Sequence, residues 1–221
     1  MRTSAKNSPI YYNNMNSLIL MTIIFLGIAI FIKWKLPVWI GRSGEKFVSR
    51  KLHRLDPVHY RILNDLMLPS HGNSSATQID HVVVSNYGIF CIETKAYKGW
   101  IFGSANQEFW TQVIFRYKER FYNPFRQNFA HTKAIENLLG SQRLKTPIVS
   151  LVAFPNADKL KISGTDSVGH ARDIVKKIES YTNPVYSDAE RDEIADLLVG
   201  ANIIDKEARK LHNREARGLK R

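Results

Sequence analysis

Two runs rich in β-branched and aromatic residues, Gln78–Val84 and Ile89–Thr94, flank Ser85-Asn86-Tyr87-Gly88, where Asn and Gly suit a tight reversal. The segment predicts a β-hairpin. With Asn86 and Tyr87 as a two-residue loop, Ser85 pairs with Gly88, Val82 with Cys91 and Asp80 with Glu93. Two carboxylates then share one face. Lys95, two residues beyond Glu93, points to that face as well, because side chains alternate along a strand.

Like charges opposed on a sheet are destabilising, so Asp80 and Glu93 need a cation between them, either Lys95 or a bound metal. A hard divalent ion such as Mg²⁺ binds one or two carboxylates plus water and phosphate oxygens, which matches this pair. Such an ion would activate water and neutralise phosphate charge, while a nearby ammonium stabilises the transition state. A surface salt-bridge cluster has the same spacing and no chemistry. Glu45 is a third candidate acid, since it lies with Val48 and Leu52 on one stripe of a helix that Ser43 would cap. A first-turn acid favoured by the helix dipole explains Glu45 equally well.

A second feature limits the chain differently. Leu18–Ile32, LILMTIIFLGIAIFI, carries no charge on any face. At 1.5 Å per residue this run spans about 22 Å, short of a hydrocarbon core of about 30 Å. Asn16 and Ser17 on one side, and Lys33, Trp34, Lys35 and Leu36 on the other, extend it if the lysines snorkel and Trp34 and Trp39 sit at the interface. Pro37 is expected to end that helix. A cleaved signal peptide or a buried core helix are the competing readings, but no small-residue cleavage site follows and an all-apolar core helix needs a larger protein. Lys33, Lys35, Arg42, Lys46, Arg50 and Lys51 follow the run against Arg2 and Lys6 before it. The positive-inside rule therefore places the C-terminal body in the cytoplasm, making the protein a single-pass protein of the cell membrane.

The formal charge of +12 sits at the ends: residues 1–54 carry +8, residues 206–221 carry +5 and the body between carries −1. Net charge alone is therefore weak support for nucleic-acid binding. At 221 residues there is room for one domain plus an attachment, and a lone cysteine, Cys91, excludes internal disulfides and cysteine-rich zinc sites. Around the hairpin the patterns predict a helix holding Phe47, Val48, Leu52 and Leu55, then an extended piece over Tyr60–Leu66 closed by Pro69 and a polar loop, SHGNSSAT. One or two strands follow the hairpin. A helix over RQNFAHTKAIENLLGSQ, a strand in PIVSLVAF and a helix in HARDIVKKIESY come next, and a last helix is opened by the capping box of Ser187 and Glu190.

Four ordered blocks, GRSGEKFV, TQIDHVVVSNYGIFCIETKAYKGWIFG, Trp110 and YNPFRQNFAH, resemble the nuclease-related domain (NERD) family, a branch of the PD-(D/E)xK nuclease superfamily. The resemblance covers roughly residues 41–140. It implies an α/β fold, a restriction-endonuclease-like mixed sheet flanked by helices, here preceded by one N-terminal transmembrane helix. It also implies a DNA-processing role with Mg²⁺ or Mn²⁺. Residue by residue, it makes Asp80 and Glu93 metal ligands, Lys95 the catalytic lysine of E-x-K, Glu45 the acid of the first helix, and Gln127 a residue that contacts substrate or supports the site. An inactive nuclease-fold module binding nucleic acid or a protein partner is the alternative. The expected organisation is a tail (1–16), a transmembrane anchor (17–36), the nuclease-related domain (41–140), a strand and helices completing it (141–204) and a basic tail (205–221).

Arg116, Lys118, Arg120 and Arg126 lie among Phe115, Tyr117, Phe121 and Tyr122, a mixture suited to phosphate contact and base stacking, or simply to a strand with two faces. By alternation His81 points away from Asp80 and reads as a packed histidine, and Cys91 reads as buried and inert. His131, four residues after Gln127, shares its helix face.

Overall fold

Helix α1 (Pro9–Leu52) runs without a break through Pro37 and past Ser43, so Pro37 does not end a helix and Ser43 does not cap one. Proline removes a single backbone donor, and in a helix of this length the hydrogen bonds on either side sustain the ladder across that gap. Residues 9–16, expected as a tail, are helical too. The computed structural model describes the backbone of residues 9–70, 76–140, 143–205 and 207, with the side chains of 9–17 and 32–38 left aside. The polar loop at 71–75, the side chains of the flanking Lys33, Trp34, Lys35 and Leu36, and nearly all of the basic tail lie outside what is described. Among those described, no helix is long and apolar enough to cross a membrane. Leu18, Met21, Phe25 and Phe31 nevertheless expose most of their side-chain surface.

The chain divides into two compact units, Met1–Arg42 and Ser43–Arg221. The second is a mixed α/β body built on two sheets. A five-stranded sheet has the order β1-β2-β3-β7-β9, formed by β1 (Tyr60–Pro69), β2 (Ala76–Ser85), β3 (Gly88–Thr94), β7 (Val149–Ala153) and β9 (Val168–Gly169). β1, β2 and β3 are antiparallel, whereas β3, β7 and β9 are parallel. A four-stranded sheet has the order β6-β5-β4-β8, formed by β4 (Gly99–Ser104), β5 (Phe109–Ile114), β6 (Tyr117–Tyr122) and β8 (Ala157–Ser163). Three strands thus follow the hairpin where one or two were expected.

The alternation along β2 and β3 sorts the helices onto two faces. Val82, Val84, Ile89 and Cys91 pack against α2 (Pro124–Leu139) and α4 (Asp188–Gly200), through Ile135, Leu139, Ile194 and Leu198. Val83, Phe90 and Ile92 on the other face meet Val48 and Leu52 of α1 and Ile174 and Ile178 of α3 (Ala171–Glu179). A third cluster, Ile101, Trp110, Val152, Phe154 and Ala157, joins the four-stranded sheet to the end of β7. The α4 capping box forms as expected, with the Ser187 hydroxyl accepting from the Glu190 amide.

Candidate active site

The hairpin register is the expected one: Ser85 faces Gly88, Val82 faces Cys91 and His81 faces Ile92. There the paired ladder stops, one step short of Asp80 and Glu93. Both acids keep the parity of Val82 and Cys91, so both belong to the α2 face. The Asp80 carboxylate is turned to the other strand by accepting a hydrogen bond from the Thr94 amide (2.7 Å).

Glu93 is buried, and each of its oxygens has a partner. Lys95 Nζ donates to Oε1 at 2.7 Å, and His131 Nε2 lies 3.2 Å from Oε2. A carboxylate only accepts, so Nε2 carries the proton. His131 Nδ1 in turn meets the Thr77 hydroxyl at 2.7 Å. Lys95 Nζ also donates to Gln127 Oε1 at 2.8 Å. Gln127 and His131, one helical turn apart on α2, therefore grip the two ends of one Lys95–Glu93 ion pair.

This arrangement pulls the two acids apart electrostatically. Burial alone would push Glu93 up, yet the Lys95 ammonium and the His131 hydrogen bond hold it down at about 2. Asp80 is held well above the usual carboxylate range by burial first, then by the charges of Glu93 and Glu45, which outweigh the Thr94 amide and Lys95. Burial works against the charge on Lys95, but Glu93 more than compensates and keeps it protonated. Burial and the neighbouring acids thus disfavour the ionised form of Asp80, a penalty that a bound cation relieves.

Local sequence explains the placement. Gly44 is buried on α1, and a β-carbon there would lie 2.6 Å from that of Ala96, so only glycine lets the helix come this close to the turn after Lys95. That approach brings half-buried Glu45 within electrostatic reach of Asp80. Asn123 caps α2 by accepting from the Phe125 amide (2.9 Å), with Pro124 in the first turn, while its own amide donates to the Ala105 and Gln107 carbonyls (3.0 and 2.6 Å). Asn128, fully buried, donates to the Cys91 carbonyl and the Ser150 hydroxyl (2.9 and 2.8 Å), fastening α2 across β3 and β7. The Asn-Pro segment is thus a docking device that sets Gln127 over Lys95.

The other expected residues fall as follows. His81 faces away from the acids, hydrogen-bonded to Asn64 (2.7 Å), and burial lowers it to about 4. Cys91 is buried with its thiol on Asn128 Oδ1 (3.0 Å) and its pKa pushed up by that burial. Lys118 and Arg120 share the outer face of β6, but Arg116 sits in the turn before it and Arg126 lies on the first turn of α2 near the Asn106 carbonyl. The four cations thus lie on a turn, a strand and a helix start. The hydrogen bond of His131 to Glu93, and the Thr77 hydroxyl behind that imidazole, went beyond what the sequence indicated; the i, i+4 spacing of Gln127 and His131 was the available signal.

Among the described residues no group of three His, Cys, Asp or Glu side chains forms a ready-made metal cage. The donor set that does exist, Asp80 with Glu93 and with Glu45 nearby, is hard oxygen of the kind Mg²⁺ or Mn²⁺ takes when water and phosphate complete its shell. These residues fit such an ion.

Comparison with known proteins agrees with this architecture. No solved structure matches the chain. A Bacillus anthracis protein described as uncharacterized is 41% identical over 185 residues, covering 82% of this chain and 85% of the relative. The nuclease-related domain profile matches residues 40–155, a span that runs from α1 through β7 and contains Glu45, Asp80, Glu93, Lys95, Gln127 and His131. The chain belongs to the nuclease-related domain family, whose general kind is the PD-(D/E)xK nuclease.

Proposed function

We propose that this protein is a membrane-anchored, divalent-metal-dependent nuclease that hydrolyses phosphodiester bonds in DNA. The observation carrying the reading is the Lys95 ammonium fixed between Glu93 and Gln127 beside a second acid, Asp80, whose charge burial, Glu93 and Glu45 all oppose. Asp80 and Glu93 would hold Mg²⁺ or Mn²⁺, which when bound neutralises phosphate charge and favours attack by water. Lys95 has three N–H donors, and two are engaged by Glu93 and Gln127. The third, which has no partner among the described residues, can meet a phosphate oxygen or orient the attacking water as charge develops. His131 fixes the Glu93 carboxylate from the opposite side, and Glu45 adds negative field at Asp80.

The membrane part of the proposal rests on Leu18–Phe31, a helical stretch whose large apolar side chains are exposed all round, a surface that lipid satisfies and water does not. The basic residues after it favour a cytoplasmic body. A second reading, a non-catalytic module, draws on the fact that both Glu93 oxygens already have protein partners.

Incubating the full-length chain in mild detergent with supercoiled plasmid, linear duplex and single-stranded DNA separates the readings. Cleavage of at least one form is expected with Mg²⁺ or Mn²⁺ and none in EDTA. No turnover on any form with either ion contradicts the nuclease and favours the module.

A further inference from the structure

We infer that the outer face of the four-stranded sheet is a binding platform for single-stranded DNA, formed by Trp100, Phe102, Lys118, Arg120, Lys159 and Lys161. The strand register assembles it. Residues directly paired on adjacent strands share a face, so Trp100 lies with Val113 and Lys159, Phe102 with Thr111 and Lys161, Val113 with Lys118, and Thr111 with Arg120. The side chains confirm the register: Lys159 and Lys161 stand over the Trp100 ring at 5.2 and 5.3 Å, and Lys161 stands 5.4 Å from the Phe102 ring. Arg120 covers Phe109 at 4.8 Å, and Tyr122 adjoins that ring at 6.0 Å. Trp100, Phe109 and Tyr122 are all exposed, as are the four cations.

The other face of the same sheet is apolar and buried around Ile101 and Trp110, and the only acid on β6, Glu119, belongs to that parity. At its paired positions the outer face of the strands therefore presents four cations and exposed rings, and the one acid of β8, exposed Asp158, falls in the register shift between Gly99 and Trp100. Charge complementarity selects a polyanion, and the rings select the polyanion. Unpaired bases have free π-faces that stack on aromatic side chains while the backbone phosphates meet the ammonium and guanidinium groups. A duplex hides those faces inside its stack, so it would meet the cations alone. Only residues 96–99 separate Lys95 from Trp100, which ties the platform by a short covalent link to the proposed catalytic end of β3.

The inference rests on the DNA-processing role proposed above and names its substrate form. It is tested by fluorescence anisotropy with the full-length chain in mild detergent and EDTA, using a short labelled oligothymidylate, a duplex of equal length and phosphatidylserine vesicles as probes. The double variant Lys159→Ala/Lys161→Ala should bind the single strand about tenfold more weakly. Its salt dependence should be shallower by roughly 1.4 in the log–log slope, the share of two phosphate contacts. Trp100→Leu should weaken the single strand by a similar factor and leave the duplex unchanged, because only stacking is removed. Wild-type affinity for the oligothymidylate in both variants overturns the inference, as does equal loss of duplex and single strand in Trp100→Leu. Vesicle binding that falls in the double variant while oligothymidylate binding does not overturns it in favour of a lipid surface. EDTA keeps cleavage out of the measurement: a chain that binds as expected yet cuts nothing upholds the platform and defeats the nuclease, and a chain that cuts while ignoring these substitutions does the reverse.

Discussion

Lys95→Ala should lower the rate of metal-dependent DNA cleavage by about 10²–10³-fold, the usual loss when one pre-positioned donor to developing charge is removed. The ammonium is held by two acceptors, Glu93 at 2.7 Å and Gln127 at 2.8 Å, so its remaining donor is directed rather than free to wander. Removing it also strips Glu93 of the cation that holds its carboxyl low. A stability change is therefore expected alongside the activity change. Steady-state cleavage and thermal melting on the same samples check it. A variant that folds and cuts at the wild-type rate removes Lys95 from the chemistry.

Trp110→Ala should destabilise the body by about 3–5 kcal/mol, the range for truncating a fully buried tryptophan. At this chain length each kcal/mol is worth about 2–4 °C, so the midpoint falls by roughly 10 °C in thermal denaturation. The ring stacks on Phe154 at 6.1 Å, meets Phe121 and Phe125 edge-on at 6.3 and 6.0 Å, and donates its indole N–H to the Ser104 carbonyl at 2.8 Å. It therefore joins the four-stranded sheet, the end of β7 and the start of α2 at one point. Gly103 leaves room for it, since a β-carbon there would lie 2.4 Å from the indole. The loss should reach function, because Phe125 belongs to the turn that delivers Gln127 to Lys95. A melting midpoint within a degree or two of wild type contradicts this account of the junction.

What the sequence made legible was local. Ser85-Asn86-Tyr87-Gly88 determines a two-residue reversal, and from it the register, the shared face of Asp80 and Glu93 and the turn of His81 to the opposite face follow by parity alone. The helix expected over RQNFAHTKAIENLLGSQ is α2, which starts two residues earlier at Pro124 because Asn123 caps it and Pro opens a helix without distant help. Long-range pairings were not legible. β8 joins β4 in parallel from more than fifty residues away, so nothing in DKLKIS by itself places Lys159 and Lys161 over Trp100. The four cations grouped by proximity in sequence lie on a turn, a strand and a helix start, and the two on β6, Lys118 and Arg120, pair with Val113 and Thr111 of β5. Pro37 misled for a related reason: its local preference is to stop a helix, and continuity of α1 on both sides overrides it.

The central claim is that Asp80 and Glu93, on one face of the sheet, together hold a divalent ion, and thermal melting of the full-length chain with and without Mn²⁺ tests it most directly. Asp80→Asn keeps an acceptor for the Thr94 amide while removing a charge that burial, Glu93 and Glu45 all oppose. The account predicts that wild type melts higher when Mn²⁺ is added. It predicts that Asp80→Asn melts above wild type in EDTA and no longer responds to Mn²⁺. An equal Mn²⁺ shift in both proteins, or an Asp80→Asn chain that is less stable than wild type without metal, would contradict it.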